Sequence, residues 1–177
     1  MISNCAVLNR NALNSKEKIM SIVGSKDVLK MAMKIEQNRE EFYKQFSQKI
    51  NDERASQLFR DLAKEEKKHY NIFKSLLESP SDKELKVAYP NEYKEYLQAY
   101  GDTLIFNKEL EKQANSINDI TSAFDFSIRR ELDSILLYQD MKQYASNKDK
   151  ETLDNIIAEE RLHFVTLTNK KKELASK

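Results

Sequence analysis

Apolar residues recur at steps of three, four or seven along most of this 177-residue chain, which predicts long amphipathic helices. The first stripe includes Leu29, Tyr43 and Phe46, and it contains one acidic position, Glu36. Four such stripes predict four long helices, over about residues 27–50, from the break at Asn51-Asp52 to Pro80, 118–146 and 150–174.

The connections between these helices predict how they are arranged. The breaks at Asn51-Asp52 and Asn147-Lys148 are short, so each should join two antiparallel helices. The connection over residues 80–116 is much longer and contains two prolines and a short predicted helix, Asn91 to Tyr100, ended by Gly101. It is long enough to cross over along the bundle, so the second and third long helices should run parallel. The predicted fold is therefore an all-α four-helix bundle with one long crossover between helices 2 and 3.

Composition agrees with this fold and narrows the classes of function. Glycine and proline occur only twice each, too few for the turns of a strand-rich fold. The patterned region forms one predicted domain, 26–177, preceded by a segment of unclear structure, 1–25. Thirty basic and 29 acidic residues give a net charge of +1, which argues against nucleic-acid binding.

The expected location is the cytoplasm. Cys5 is the only cysteine, so the sequence contains neither a disulfide pair nor a cysteine cluster for metal binding. Residues 1–10 lack the basic and apolar regions of a signal peptide. No apolar stretch approaches the length of a membrane span, so we expect no membrane association of that kind.

Both histidines of the chain follow a glutamate by three residues. This spacing places an imidazole and a carboxylate on one face of a helix. Each pair is preceded by an inward-facing glutamate on the helix before it, 30 residues earlier in the first half and 29 in the second. The chain therefore contains the pattern Glu…Glu-x-x-His twice, offset by 95 and 94 residues, as Glu36, Glu66 and His69, and as Glu131, Glu160 and His163.

Four buried carboxylates would repel one another unless cations neutralised them. Two divalent ions balance four carboxylates when both imidazoles are neutral, so the six residues are predicted to bind two metal ions; iron, manganese and zinc suit this donor set. Tyr43 and Tyr138 each follow a ligand glutamate by seven residues. We count them as candidate catalytic residues that hydrogen-bond a ligand carboxylate, although each can equally be a core aromatic residue. Four flanking glutamates are expected on solvated faces: Glu40, Glu41, Glu65 and Glu159.

These motifs resemble those of ferritin-like di-iron carboxylate proteins, and most closely the erythrin domain of the rubrerythrins. The resemblance covers about residues 27–175 and is carried by the stretches 32–36, 59–69, 131–134 and 156–163. It implies that the six glutamates and histidines bind two iron ions, with Glu66 and Glu131 as the expected bridges. Ser134 stands where rubrerythrins commonly carry an additional glutamate, and the single cysteine cannot supply the four-cysteine rubredoxin centre of full rubrerythrins.

The resemblance implies a non-haem di-iron oxidoreductase that reduces hydrogen peroxide at a diferrous centre. A rubredoxin-like protein or a flavoprotein reductase would supply the electrons, and the protein is expected to be a homodimer. Two alternatives stay open: a ferritin-like ferroxidase or iron-storage protein, and an oxidase that activates dioxygen. Manganese or zinc can also occupy such a site, and zinc can serve a binding or sensor protein that is not an enzyme.

Overall fold

The computed structural model describes residues 25–79, 91–104, 108–145 and 147–176. These residues form six helices and no strand. In chain order the helices are α1 (Ser25–Lys49), α2 (Glu53–Glu78), α3 (Asn91–Leu104), α4 (Lys108–Ser116), α5 (Ile120–Tyr144) and α6 (Asn147–Ala175). The segment 1–24 and the prolines of the crossover, Pro80 and Pro90, lie outside the described residues.

The four long helices α1, α2, α5 and α6 confirm the four predicted from the apolar stripes. Aspartate caps begin two of them, since Asp52 accepts a hydrogen bond from the backbone N–H of Ala55 and Asp119 accepts one from that of Ser122. The prediction for α6 was three residues too late, because Asn147 begins the helix and does not form a turn. Polar residues at a helix start resemble a turn in sequence, which explains the difference.

The crossover contains more helix than the sequence predicted. Helix α3 continues past Gly101 to Leu104, because a glycine inside a helix costs only about 1 kcal/mol relative to alanine and does not have to end it. Helix α4 was not predicted at all. Its inward face consists of little more than Leu110 and the fully buried Ala114, and two apolar positions do not establish a helical period.

Contacts between the long helices establish their directions. On α2 and α5, Phe59 packs on Phe124 and, 14 residues further along both helices, Phe73 packs on Tyr138. These two helices therefore run parallel, as the long crossover predicted. Helices α1 and α5 run antiparallel, since Glu36 contacts Tyr138 while Tyr43 contacts Glu131.

The interior of the bundle has three layers. One apolar cluster includes Val28, Phe73 and Leu153, and a second, at the other end of the bundle, includes Phe46, Phe59 and Leu167. Between them lies a buried polar layer, made of Glu36, Arg39, Glu66, His69, Glu131, Ser134, Glu160 and His163. None of the helices in the described part of the chain is both long and apolar enough to cross a membrane.

Candidate metal centre

The polar layer contains all six of the predicted metal ligands, one or two from each long helix. Glu36 comes from α1 and Glu131 from α5, while α2 and α6 each contribute a Glu-x-x-His pair. The i, i+3 spacing puts the two members of each pair on the inward face of their helix. All four carboxylates are fully buried.

Ligand atoms of these residues form two groups, in each of which all atoms lie within 4.8 Å of one another. The first group contains Glu36 and His69, and the second contains Glu131 and His163. Glu66 and Glu160 belong to both groups. This sharing favours Glu66 and Glu160 as the bridging carboxylates, and not Glu131, which belongs only to the second group.

Six buried atoms of the predicted ligands have no hydrogen-bond partner among the described residues: Glu36 Oε2, Glu66 Oε1, His69 Nδ1, Glu131 Oε2, Glu160 Oε1 and His163 Nδ1. His69 Nδ1 lies 3.0 Å from Glu160 Oε1 and 3.9 Å from Glu36 Oε2. His163 Nδ1 lies 3.5 Å from Glu66 Oε1 and 3.7 Å from Glu131 Oε2. Ligand atoms held at about 2.1 Å from a tetrahedral ion are about 3.4 Å apart. Each histidine Nδ1 and the two carboxylate oxygens beside it therefore fit a transition-metal ion. Buried polar atoms without partners are costly, and a bound cation would satisfy all six.

The two candidate catalytic tyrosines hydrogen-bond ligand carboxylates across the bundle. Tyr43 on α1 donates to Glu131 Oε1, and Tyr138 on α5 donates to Glu36 Oε1. Each phenol thus hydrogen-bonds Oε1 of its glutamate, and Oε2 of the same glutamate has no hydrogen-bond partner and is available to an ion. Of the two interpretations of these residues, hydrogen bonding to a ligand therefore agrees with the structure, and both rings also pack in the apolar clusters.

Comparison with known proteins identifies the family and supports the fold. The family model for rubrerythrin matches residues 27–170. The chain belongs to the rubrerythrin family. It is also similar in structure to a protein of Thermotoga maritima described as a ferritin-like di-iron carboxylate protein, with 24% identity and a TM-score of 0.65 over 85% of this chain and 96% of that one. No curated protein is similar enough to count as a match.

This rubrerythrin-family protein carries an arginine inside its candidate metal centre, which the sequence analysis did not identify. Arg39 is only 2% exposed, and its Nη2 donates hydrogen bonds to Glu66 Oε2 and Glu160 Oε2. The same nitrogen lies 3.2 Å from Glu131 Oε2 and 3.7 Å from Glu36 Oε2. The sequence did contain a signal, because the seven-residue step from Glu36 to Tyr43 leaves an inward position open at residue 39 or 40.

Glu159 lies on a solvated face, as expected, but it also has a contact that was not predicted. It is 49% exposed, and its Oε2 lies 2.8 Å from His69 Nε2. A carboxylate on Nε2 holds the proton there and leaves Nδ1 free to bind an ion. Glu65, its counterpart on α2, instead pairs with Lys68 at the surface, as expected.

Burial and charge separate the pKa values of the four carboxyl groups. Burial raises the pKa of Glu36 well above its ordinary value and that of Glu131 to about 8. Burial acts the same way on Glu66 and Glu160, but the charge of Arg39 and the two neighbouring histidines outweigh it and hold the pKa of both carboxyl groups below the ordinary range.

The histidines show the opposite balance. Burial alone would lower their pKa values, yet contacts with the carboxylates raise the pKa of His69 to about 11 and that of His163 to about 12. Both imidazoles therefore hold a second proton at neutral pH when no metal ion is bound, and a metal ion has to displace it.

Proposed function

We propose that the protein is a cytoplasmic non-haem di-iron oxidoreductase that reduces hydrogen peroxide with electrons from a separate donor protein. The observation that carries the proposal is the pair of ligand groups sharing Glu66 and Glu160, in a chain of the rubrerythrin family. Two ferrous ions, when bound there, would supply the two electrons that convert hydrogen peroxide and two protons into two water molecules.

The protein's own residues would hold and orient this pair. Glu36 and His69 would bind one ion, Glu131 and His163 the other, and the two shared glutamates would bridge them. Tyr43 and Tyr138 would keep the terminal carboxylates in place through their hydrogen bonds. The apolar clusters on both sides of the centre would exclude water from it.

A small cavity beside the centre supports a small oxidant over an organic substrate. It has a volume of about 20 Å³, and its lining includes Arg39, Ser134 and Phe42. A volume of that size accommodates about one water molecule, which is comparable to one end of a peroxide molecule. The cavity therefore favours a small oxidant over a bulky organic substrate on this side of the centre.

The single cysteine of these 177 residues cannot form a rubredoxin centre, which supports a separate electron donor. A rubredoxin-like protein or a flavoprotein reductase is the proposed donor. We also propose a homodimer. Exposed leucines and a valine on α5 and α6 support it, the most exposed being Leu162 at 65%, together with Leu132, Leu136 and Val165.

Rapid-mixing kinetics test the peroxide reaction. The protein is loaded anaerobically with ferrous iron and mixed with hydrogen peroxide, and absorbance follows iron oxidation. The loaded protein should react at least about tenfold faster than free ferrous iron and consume one peroxide per two ferrous ions. Glu131→Gln should lose this advantage, whereas Glu53→Gln, at a solvent-exposed position, should keep it. A rate equal to that of free ferrous iron would rule the proposal out.

Iron handling is the second candidate, because the same two ligand groups would also hold ferrous iron that is to be oxidised and stored. Native mass measurement separates the two functions, since a storage protein requires a closed shell of many subunits. A dimer supports the peroxidase, and a shell of 12 or 24 subunits, the sizes such cages take, would support storage.

A further inference from the structure

The guanidinium of Arg39 is buried among the four ligand carboxylates. Nη2 contacts all four carboxylates, and Nη1 donates to Ser134 Oγ on α5. Arg39 follows Glu36 by three residues, and Ser134 follows Glu131 by three residues, so the two occupy equivalent positions of the internal repeat. The arginine therefore reaches from α1 to α5 and contacts carboxylates of both ligand groups.

The oxygens that Arg39 binds are those that would complete a bridged metal pair. In Glu66 and in Glu160, Oε2 accepts a hydrogen bond from Nη2, while Oε1 has no hydrogen-bond partner. Glu66 Oε2 lies 3.5 Å from His69 Nδ1, and Glu160 Oε2 lies 3.6 Å from His163 Nδ1. Each Oε2 atom is thus within ligand distance of one imidazole, and each Oε1 atom is within ligand distance of the other. Two bridged ions need all four oxygens, and the guanidinium holds two of them.

The charges lead to the same conclusion. Two divalent ions together with Arg39 bring five positive charges to four carboxylates, whereas one divalent ion with Arg39 brings three. Excess positive charge in a buried, low-dielectric site is strongly unfavourable. The guanidinium cannot relieve it by losing a proton, because arginine stays protonated in proteins.

We propose that Arg39 is an internal cation that competes with metal for the bridging carboxylates, so that the two ions bind one after the other. The first ion enters the group of Glu36 and His69, which Arg39 contacts less closely and in which Glu159 orients the imidazole. The second enters the group of Glu131 and His163, 3.2 Å from Nη2 at Glu131, only when the guanidinium moves away. The inference rests on the two-metal centre of the proposed function but not on its peroxide chemistry.

The displaced side chain would have to move toward the small cavity that it lines, whose volume of about 20 Å³ means that the lining must rearrange to admit a guanidinium. The small cavity beside Arg39 is lined by Asn38, Asp133 and Ser134, which provide hydrogen-bond acceptors. Asp133 already pairs with Arg130 and Arg129, and its carboxylate has room to accept one more hydrogen bond. Withdrawal in this direction would bring the guanidinium of Arg39 closer to Asp133 and would free both Oε2 atoms.

Calorimetric titration with Mn²⁺ tests the inference without any redox reaction. Protein stripped of metal by a chelator is compared with Arg39→Met and with a matched control, Arg60→Met, whose arginine is partly exposed and pairs with Glu53. The wild-type chain and the control should bind the second ion at least about tenfold more weakly than the first. In Arg39→Met the second ion should bind at least about tenfold more tightly than in the wild type.

Each other outcome has a distinct meaning. If Arg39→Met binds the second ion no more tightly than the wild type, the competition is refuted while the metal centre stands. If no variant binds Mn²⁺, the two-metal centre falls, and the peroxidase proposal and the competition fall with it. If the ions bind as expected but peroxide is not reduced, only the peroxidase proposal fails.

A structure of the wild-type protein loaded with Mn²⁺ gives a second test that does not depend on how well Arg39→Met folds. The expected result is two ions bridged by Glu66 and Glu160, with Nη2 out of hydrogen-bond distance of both carboxylates. Two bridged ions with Nη2 still bound to both Oε2 atoms would overturn the inference.

Discussion

The two halves of the bundle, α1–α2 and α5–α6, carry the same ligands in different surroundings. Each half supplies Glu and Glu-x-x-His, and each tyrosine crosses to the other half's glutamate. The equivalent positions 39 and 134, by contrast, hold an arginine and a serine. His69 has Glu159 as a partner and is fully buried, whereas His163 is 8% exposed. A symmetric set of ligands in asymmetric surroundings should bind two ions that are not equivalent.

The largest loss of metal affinity should come from changing a carboxylate that both ligand groups share. Glu160→Gln alters a carboxylate that belongs to both ligand groups, so it should lower the affinity for both ions by more than about 100-fold. This loss exceeds the one expected when only a hydrogen-bond partner of a ligand is changed. Glu36→Gln alters only the first group and should remove one ion. Metal analysis after gel filtration counts the ions retained. Loss of a single ion in Glu160→Gln would show that the carboxylate does not bridge.

The sequence predicted the features of this centre that depend on local spacing, and it did not predict those that depend on contacts between distant helices. Helical periodicity and i, i+3 spacing are local, so the bundle and the six predicted ligands follow from the chain alone. The role of Arg39 depends on three other helices that converge on it, and an isolated arginine in a helical stripe is ordinarily solvated. Glu159 was missed for the same reason, because its partner, His69, lies 90 residues away in sequence.

Acidity should weaken metal binding to both halves. His69, His163 and Glu131, with pKa values of about 11, 12 and 8, hold protons at neutral pH that metal binding must release. Because protons compete with the ions, metal affinity should rise with pH. At least about three protons should be released when both ions bind below pH 8, since the raised pKa of Glu36 adds to this number. Calorimetry in two buffers of different ionisation enthalpy measures that number. Binding without proton release would contradict the assigned protonation states.

The two phenols test whether the halves respond alike. Tyr43→Phe removes the donor to Glu131 and should weaken the second ion by about tenfold, while Tyr138→Phe should do the same to the first through Glu36. Each change leaves a buried carboxylate oxygen without its donor, which should also lower the free energy of unfolding by about 1–3 kcal/mol.

For the phenol variants, calorimetry with Mn²⁺ measures the metal affinity and denaturant unfolding measures the free energy of unfolding. Tyr96→Phe serves as the control, because this partly exposed phenol bonds Asp140 away from the centre. Equal losses in Tyr96→Phe and Tyr43→Phe would mean that the buried phenols do not act on the ligands.

The smallest change in metal affinity should come from Glu159 and Glu65, the carboxylates outside the ligand set. It tests most directly whether the two halves differ. Glu159→Gln keeps the size of the side chain but weakens its hold on the Nε2 proton of His69, so the first ion should bind about tenfold more weakly. Glu65→Gln, at the equivalent position, should change affinity by less than about twofold, because Glu65 pairs with Lys68 on the surface. If the two variants lose affinity equally, the halves support their histidines alike, and the order of loading would have to depend on Arg39 alone.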